Sequence, residues 1–243
     1  RKAAGRALNQ TQSLELEVIC CTVEDAIAAH RGAATRLEVT VQLDQGGITP
    51  PLELVKAILQ SVPVRARIML RERADFAVND LEELERLKRL ARQLAALNIN
   101  GLVVGFVRDG ALDLRSLGAI LAEAPSSRFT IHHALETTRD PLAALEAVRG
   151  LKNADRCLVH GGMGTREERV ARLLQYRKAL GPKCKLILGG RVTLDTLADF
   201  ARGTGLAEFH LGRAVRTPET AEGRVDADKV HRAMQILRSP CTS

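Results

Sequence analysis

The sequence predicts a parallel (β/α)8 barrel of the TIM type. Eight short apolar runs rich in β-branched residues alternate with longer segments carrying helix signals. The runs start some 20–37 residues apart, the length of one βα unit. The chain has 243 residues, close to the ~250 that such a barrel commonly needs. An open doubly wound sheet is the weaker alternative. The stretch GGMGTRE has Glu167 where a third dinucleotide-binding glycine belongs, and no P-loop pattern occurs.

The predicted strands are, in order, LELEVIC (14–20), RLEVTV (36–41), VRARIML (64–70), GLVVGFV (101–107), RFTIHH (128–133), RCLVHG (156–161), KLILGG (185–190) and AEFHLG (207–212). Helix starts are marked by residues whose side chains can satisfy free backbone N–H groups. Thr22 precedes VEDAIAAHRG, and Gly32 ends it. Asp80 precedes a helix with an apolar stripe of Leu81, Leu84, Leu87, Leu90, Leu94 and Leu97. Thr165 and Glu168 form a capping-box pattern. Thr193 opens LDTLADFARG, and Asp226 opens the last helix.

Composition narrows the function classes. Hydrophobic residues are 45% and charged residues 27%, which excludes a disordered chain, a collagen and a small disulfide scaffold. Aromatics are 2%, too few for a base-stacking surface, so no nucleic-acid partner is expected. The net charge of +7 is dispersed and favours small anionic partners by steering. Five cysteines without a CxxC motif suggest reduced thiols and a cytoplasmic location. No apolar stretch reaches the ~18 residues of a membrane span, so no membrane partner is expected. Residues 1–12 lack a signal-peptide core and are expected to be a disordered or tag-like segment. The barrel is expected over 13–238, with 239–243 as a frayed tail.

Strand parity then selects candidate site residues, because side chains alternate between the helix-facing and central faces. Leu16, Val18 and Cys20 should face helices, which turns Glu17, Ile19 and Cys21 inward. The same reasoning turns Arg36, Glu38, Thr40, Arg67, Met69, Arg71, Glu208 and His210 inward. His132 and His160 are expected to follow, with His133 facing a helix or the rim. Unpaired buried charge costs several kcal/mol, so these groups must pair with one another or meet a ligand. Gly189, Gly190, Arg191, Gly212 and Arg213 follow the last two strands, where barrels often bind phosphate. Glu17, Glu38, His132 and His210 are therefore the candidate acid/base groups. Arg71 and Arg73 join the glycine loops as candidate anion or substrate anchors. The reaction class would be a lyase or isomerase acting on a small anionic polyol, sugar or sugar phosphate.

The pieces LEVICCTVEDA, RLEV with QGGITPP, IMLRERADF, NGLVVG, TIHHALE, LGGRVT and AEFH resemble the CutC family of copper homeostasis proteins. The likeness is collinear over roughly 14–215. The family's Glu, Glu, Arg, Arg, His and His fall on Glu17, Glu38, Arg71, Arg73, His132 and His210. Its GG-x-TP motif falls on Gly46, Gly47, Thr49 and Pro50. The resemblance implies a TIM-like barrel, copper binding and a homo-oligomer, most simply a dimer. It also implies Cu(I) thiolate ligands two residues after each of the first two glutamates, where this sequence has Ile19 and Thr40. The family's His-Arg-x-x-Asp stretch becomes His132, His133 and Glu136. The remaining candidate metal ligands are Cys21, Glu17 and His132. A carboxylate and imidazole set would suit Zn, Mn or Mg better than Cu(I).

Overall fold

The computed structural model describes residues 13–239. Residues 1–12 and 240–243 lie outside the described residues, and with them the expected N-terminal segment and nearly all of the expected tail.

Eight parallel strands close into a barrel. They are β1 (Glu15–Cys20), β2 (Arg36–Val39), β3 (Arg65–Met69), β4 (Gly101–Val104), β5 (Phe129–Ile131), β6 (Ala154–Val159), β7 (Lys185–Gly189) and β8 (Glu208–Leu211). Each strand pairs with its neighbours in sequence, and β8 closes onto β1 with Glu17 opposite His210. The helices are α1 (Val23–Arg31), α2 (Leu52–Ser61), α3 (Leu81–Ala95), α4 (Leu114–Ala122), α5 (Pro141–Val148), α6 (Arg166–Leu180), α7 (Leu194–Thr204) and α8 (Ala227–Arg238). The expected caps form. Thr22 accepts from the Asp25 amide and Asp80 from the Glu83 amide, and Thr165 and Glu168 cap each other reciprocally.

Strand parity holds. Leu16, Val18, Leu37, Val39, Ile68 and Phe209 are fully buried in the layer between barrel and helices. The opposite face fills the barrel with polar groups. At its N-terminal end Arg36 bonds Glu15, Glu17 and Glu208, and Arg156 bonds Glu208 and Asp155. Arg67 makes a two-pronged contact with Asp155 at 2.8 Å per prong. This lattice neutralises most of the interior charge, as burial requires.

The C-terminal ends differ from the sequence reading. Expected strands over 36–41, 101–107 and 128–133 stop at Val39, Val104 and Ile131. The chain leaves the barrel there to build the mouth. Thr40 bonds the Ile48 carbonyl, and the 101–107 run breaks at Gly105, where a Cβ would lie 2.7 Å from the His132 ring. Two short hairpins decorate the loops, Val107–Arg108 with Ala111–Leu112 and Arg216–Thr217 with Arg224–Val225. Two-residue strands leave no readable period, so the sequence did not reveal them.

Candidate active site at the barrel mouth

Glu17 from the middle of β1 meets Glu38 and His210 from near the C-terminal ends of β2 and β8. Each can bring one ligand atom within 4.8 Å of the others, and all three are buried. His210 Nδ1 lies 2.8 Å from Glu17 Oε1 and 3.9 Å from Glu38 Oε2. Behind Glu17, Arg36 Nε donates to Oε2 at 2.5 Å. Burial pushes the Glu17 carboxyl up, but the Arg36 charge and the His210 contact outweigh it and hold Glu17 ionised. An ionised carboxylate only accepts, so His210 Nδ1 carries a proton and Nε2 is left for another partner. Burial alone would lower His210, but the Glu38 charge and the Glu17 hydrogen bond raise it. Glu38 has the opposite environment from Glu17. Burial, reinforced by the Glu17 charge, lifts its carboxyl to about 7 against the pull of His210. Its Oε2 has no hydrogen-bond partner.

His210 and Glu38 open into a cavity of about 470 Å³. Gly190, Arg191, Gly212 and Arg213 line it, together with Met69 and His133. Gly190 and Arg191 both have left-handed backbones, with φ of 71° and 53°. Gly189 sits beneath, where a Cβ would come 2.8 Å from the His210 ring. The glycines after β7 and β8 thus share one hollow with the acid/base pair.

Other candidates fall elsewhere. His132 is buried with its Nδ1 accepting from the Ala134 amide, which leaves a protonated Nε2 without a partner. Burial, with His133 and Arg71 adding, holds it well below the ordinary histidine range. It packs under Phe76 at 5.3 Å and stands outside the three-residue cluster. Arg71 is buried, but its guanidinium donates to the carbonyls of Gln45, Gly47 and Ala74. It braces the GG-x-TP loop and sends only its charge toward Glu38. Arg73 is exposed and pairs with Asp75 at 3.3 Å. The expected inward turn of Cys21 does not occur. Its Sγ meets Arg216 at 3.6 Å, where Arg216 also bonds Asp25, so the thiol stands outside the cluster. The reason is that β1 ends at Cys20, and strand alternation no longer governs the next residue.

His133 lines the cavity and so belongs to the rim. Burial and the neighbouring His160 push it down to about 4. Glu136 has a role that parity could not reveal. Its carboxylate accepts from the amides of His160, Gly161 and Gly162, at 2.7, 2.9 and 3.1 Å. It fills the backbone nest after β6 with a built-in anion. The pair of left-handed glycines there was the available signal.

The sequence profile of the CutC family matches residues 14–215. This chain belongs to the CutC family. A CutC family protein of Mesorhizobium japonicum is 30% identical over 227 residues, covering 89% of this chain and 87% of its own. The human copper homeostasis protein cutC homolog is 32% identical over 200 residues, covering 80% and 71%. A solved CutC structure from Streptococcus agalactiae superposes with a TM-score of 0.74 at 20% identity, covering 82% of this chain and 98% of that one.

The family name invites a copper test of this CutC mouth. Cu(I) prefers thiolate or thioether. The Glu17–Glu38–His210 cluster offers oxygen and nitrogen, and the sulfur lining the same cavity is a single thioether, Met69. Cys20 faces the helices, and Arg36 already occupies the Glu17 carboxylate. This donor set does not fit Cu(I).

Proposed function

We propose that the barrel mouth binds a small anionic hydroxy or carbonyl compound and performs acid/base chemistry on it, of the lyase or isomerase class. The observation that carries this reading is the divergence of two neighbouring carboxyls. Glu17 is held ionised by Arg36, whereas Glu38 is lifted to about 7 with one oxygen unpartnered. Carboxyls driven apart in this way can play different roles at neutral pH. Glu38 exchanges the proton. His210, oriented by Glu17 through Nδ1, presents Nε2 as the partner acid or base. The backbone of Gly190 and Gly212, with Arg191 and Arg213, supports binding of the anionic group.

The test is hydrogen exchange by NMR in deuterated water, using sugar phosphates and small hydroxy acids as substrates. Exchange at a carbon beside the carbonyl is expected, and Glu38→Gln should slow it by about 100-fold or more. No exchange above background with any compound, or exchange indifferent to Glu38→Gln, overturns the reading.

A second reading is copper handling in a cytoplasmic homo-oligomer. The name of the human relative favours it. The donors at the mouth speak against Cu(I) there, so this reading needs sulfur from another part of the chain.

A further inference from the structure

The cavity at the mouth has two unlike halves. Its rim carries Arg191 and Arg213, both exposed, and Glu219, whose carboxylate is already engaged by Lys229 at 2.8 Å. Its floor is aliphatic. Ile19 from β1, Met69 from β3 and Leu158 from β6 line it, all three nearly fully buried, and strand parity points them into the barrel. Ile19 is the cross-strand partner of Glu38, so the two side chains stand next to each other on the inner face. Leu158 and His210 crowd a single point, since a Cβ at Gly189 would lie 2.8 Å from each. Each acid/base group facing the cavity thus has an aliphatic neighbour inside it.

We infer that the substrate of the mouth is a 2-oxo acid with a branched aliphatic body, and not a sugar or sugar phosphate. A hydroxyl laid on Ile19, Met69 or Leu158 would lose water without gaining a strong partner, which weakens binding by about tenfold. A carbon buried on the same floor strengthens it by about fourfold. The floor is built from strands spread around the barrel, so it is broad and suits a branched chain. The anionic group belongs directly beside the carbonyl, because Gly189 abuts His210 and Gly190 and Arg191 follow at once. The volume of about 470 Å³ is that of a small-molecule site. This substrate class rests on the acid/base reading of the mouth for its reacting end. The C–H bond beside the carbonyl breaks to the Glu38 carboxylate, its electron pair moves onto the carbonyl oxygen as an enolate, and the proton returns by the same path.

The full chain would be titrated by calorimetry with 4-methyl-2-oxopentanoate, pyruvate, gluconate and ribose 5-phosphate. The branched acid should bind about tenfold or more tightly than each of the other three. Gluconate is the matched control, a carboxylate of the same carbon count whose body is hydroxylated. Met69→Gln, close to isosteric, should cut the preference for the branched acid over gluconate by about tenfold, and Met69→Leu should keep it. Circular dichroism checks that the variants fold. If Met69→Gln unfolds, the order of the four ligands on the wild-type chain decides by itself. Gluconate or ribose 5-phosphate binding as tightly as the branched acid, or pyruvate matching it, overturns the aliphatic body and leaves the acid/base reading standing. The expected order without deuterium uptake beside the carbonyl supports the aliphatic floor and overturns the acid/base reading. No binding of any of the four overturns the 2-oxo acid assignment.

Discussion

At Glu38 a buried carboxyl keeps one oxygen unpartnered, and this has a consequence for stability. Its folded value of about 7 lies above the 4.5 of a free carboxyl, so between these values the folded state holds a proton that the unfolded chain has lost. Stability from this residue falls as pH rises through that window. His210, also raised, contributes stability that is present below its ordinary 6.5 and lost as pH rises through its folded value. Glu17 has the reverse sign, since its depressed value contributes stability that is lost on acidification below 4.5. His132 and His133, both lowered, have the opposite sign below their ordinary 6.5, so the Glu38 share is read as a difference: Glu38→Gln should gain thermal midpoint relative to wild type as pH rises from about 5 to about 7. A difference between variant and wild type of the opposite sign would refute the assignment. Arg36 has the heavier structural role. Arg36→Met would leave Glu15, Glu17 and Glu208 short of their shared partner and should cost about 3–5 kcal/mol in denaturant unfolding.

The β6–α6 connection shows how one side chain can organise an element. Glu136→Ala would release three backbone amides and should cost about 1–3 kcal/mol. Hydrogen exchange should quicken at His160, Gly161 and Gly162 while the barrel strands stay protected. Gly189 sets a steric condition at the end of β7. Gly189→Ala should displace the His210 ring and break its bond to Glu17, which would remove the downfield imidazole N–H signal without unfolding the protein. Elements of this kind were partly readable in advance. The α6 capping box and the leucine stripe of α3 are local patterns with a fixed period, and both stand where the sequence placed them. Strand ends were not readable, because β2, β4 and β5 stop where the loops engage one another. Thr40 reaching Ile48 is a contact that no periodicity encodes.

Across the whole molecule the two ends of the barrel have different electrostatic tasks. The N-terminal end is an ion-pair lattice that spends its charges internally, whereas the mouth keeps Glu38, His210, Arg191 and Arg213 around one cavity. Phosphate at about 100 times its dissociation constant should stabilise the protein by about 2.7 kcal/mol. A double Arg191→Ala and Arg213→Ala variant should lose that gain while keeping its midpoint in phosphate-free buffer. Among the described residues no helix is long and apolar enough to cross a membrane. The sequence by itself determined the barrel, the inward set from Glu17 to His210 and the family, because alternation and βα spacing are properties of the chain's order. Only the tertiary structure separated Glu38 and His210 at the cavity from His132, Arg71 and Arg73. It also turned Cys21 toward Arg216 and set Cys157 beside Cys184. Strand parity fixes which face a side chain leaves from. Where its tip comes to rest depends on loops and neighbours from distant parts of the chain.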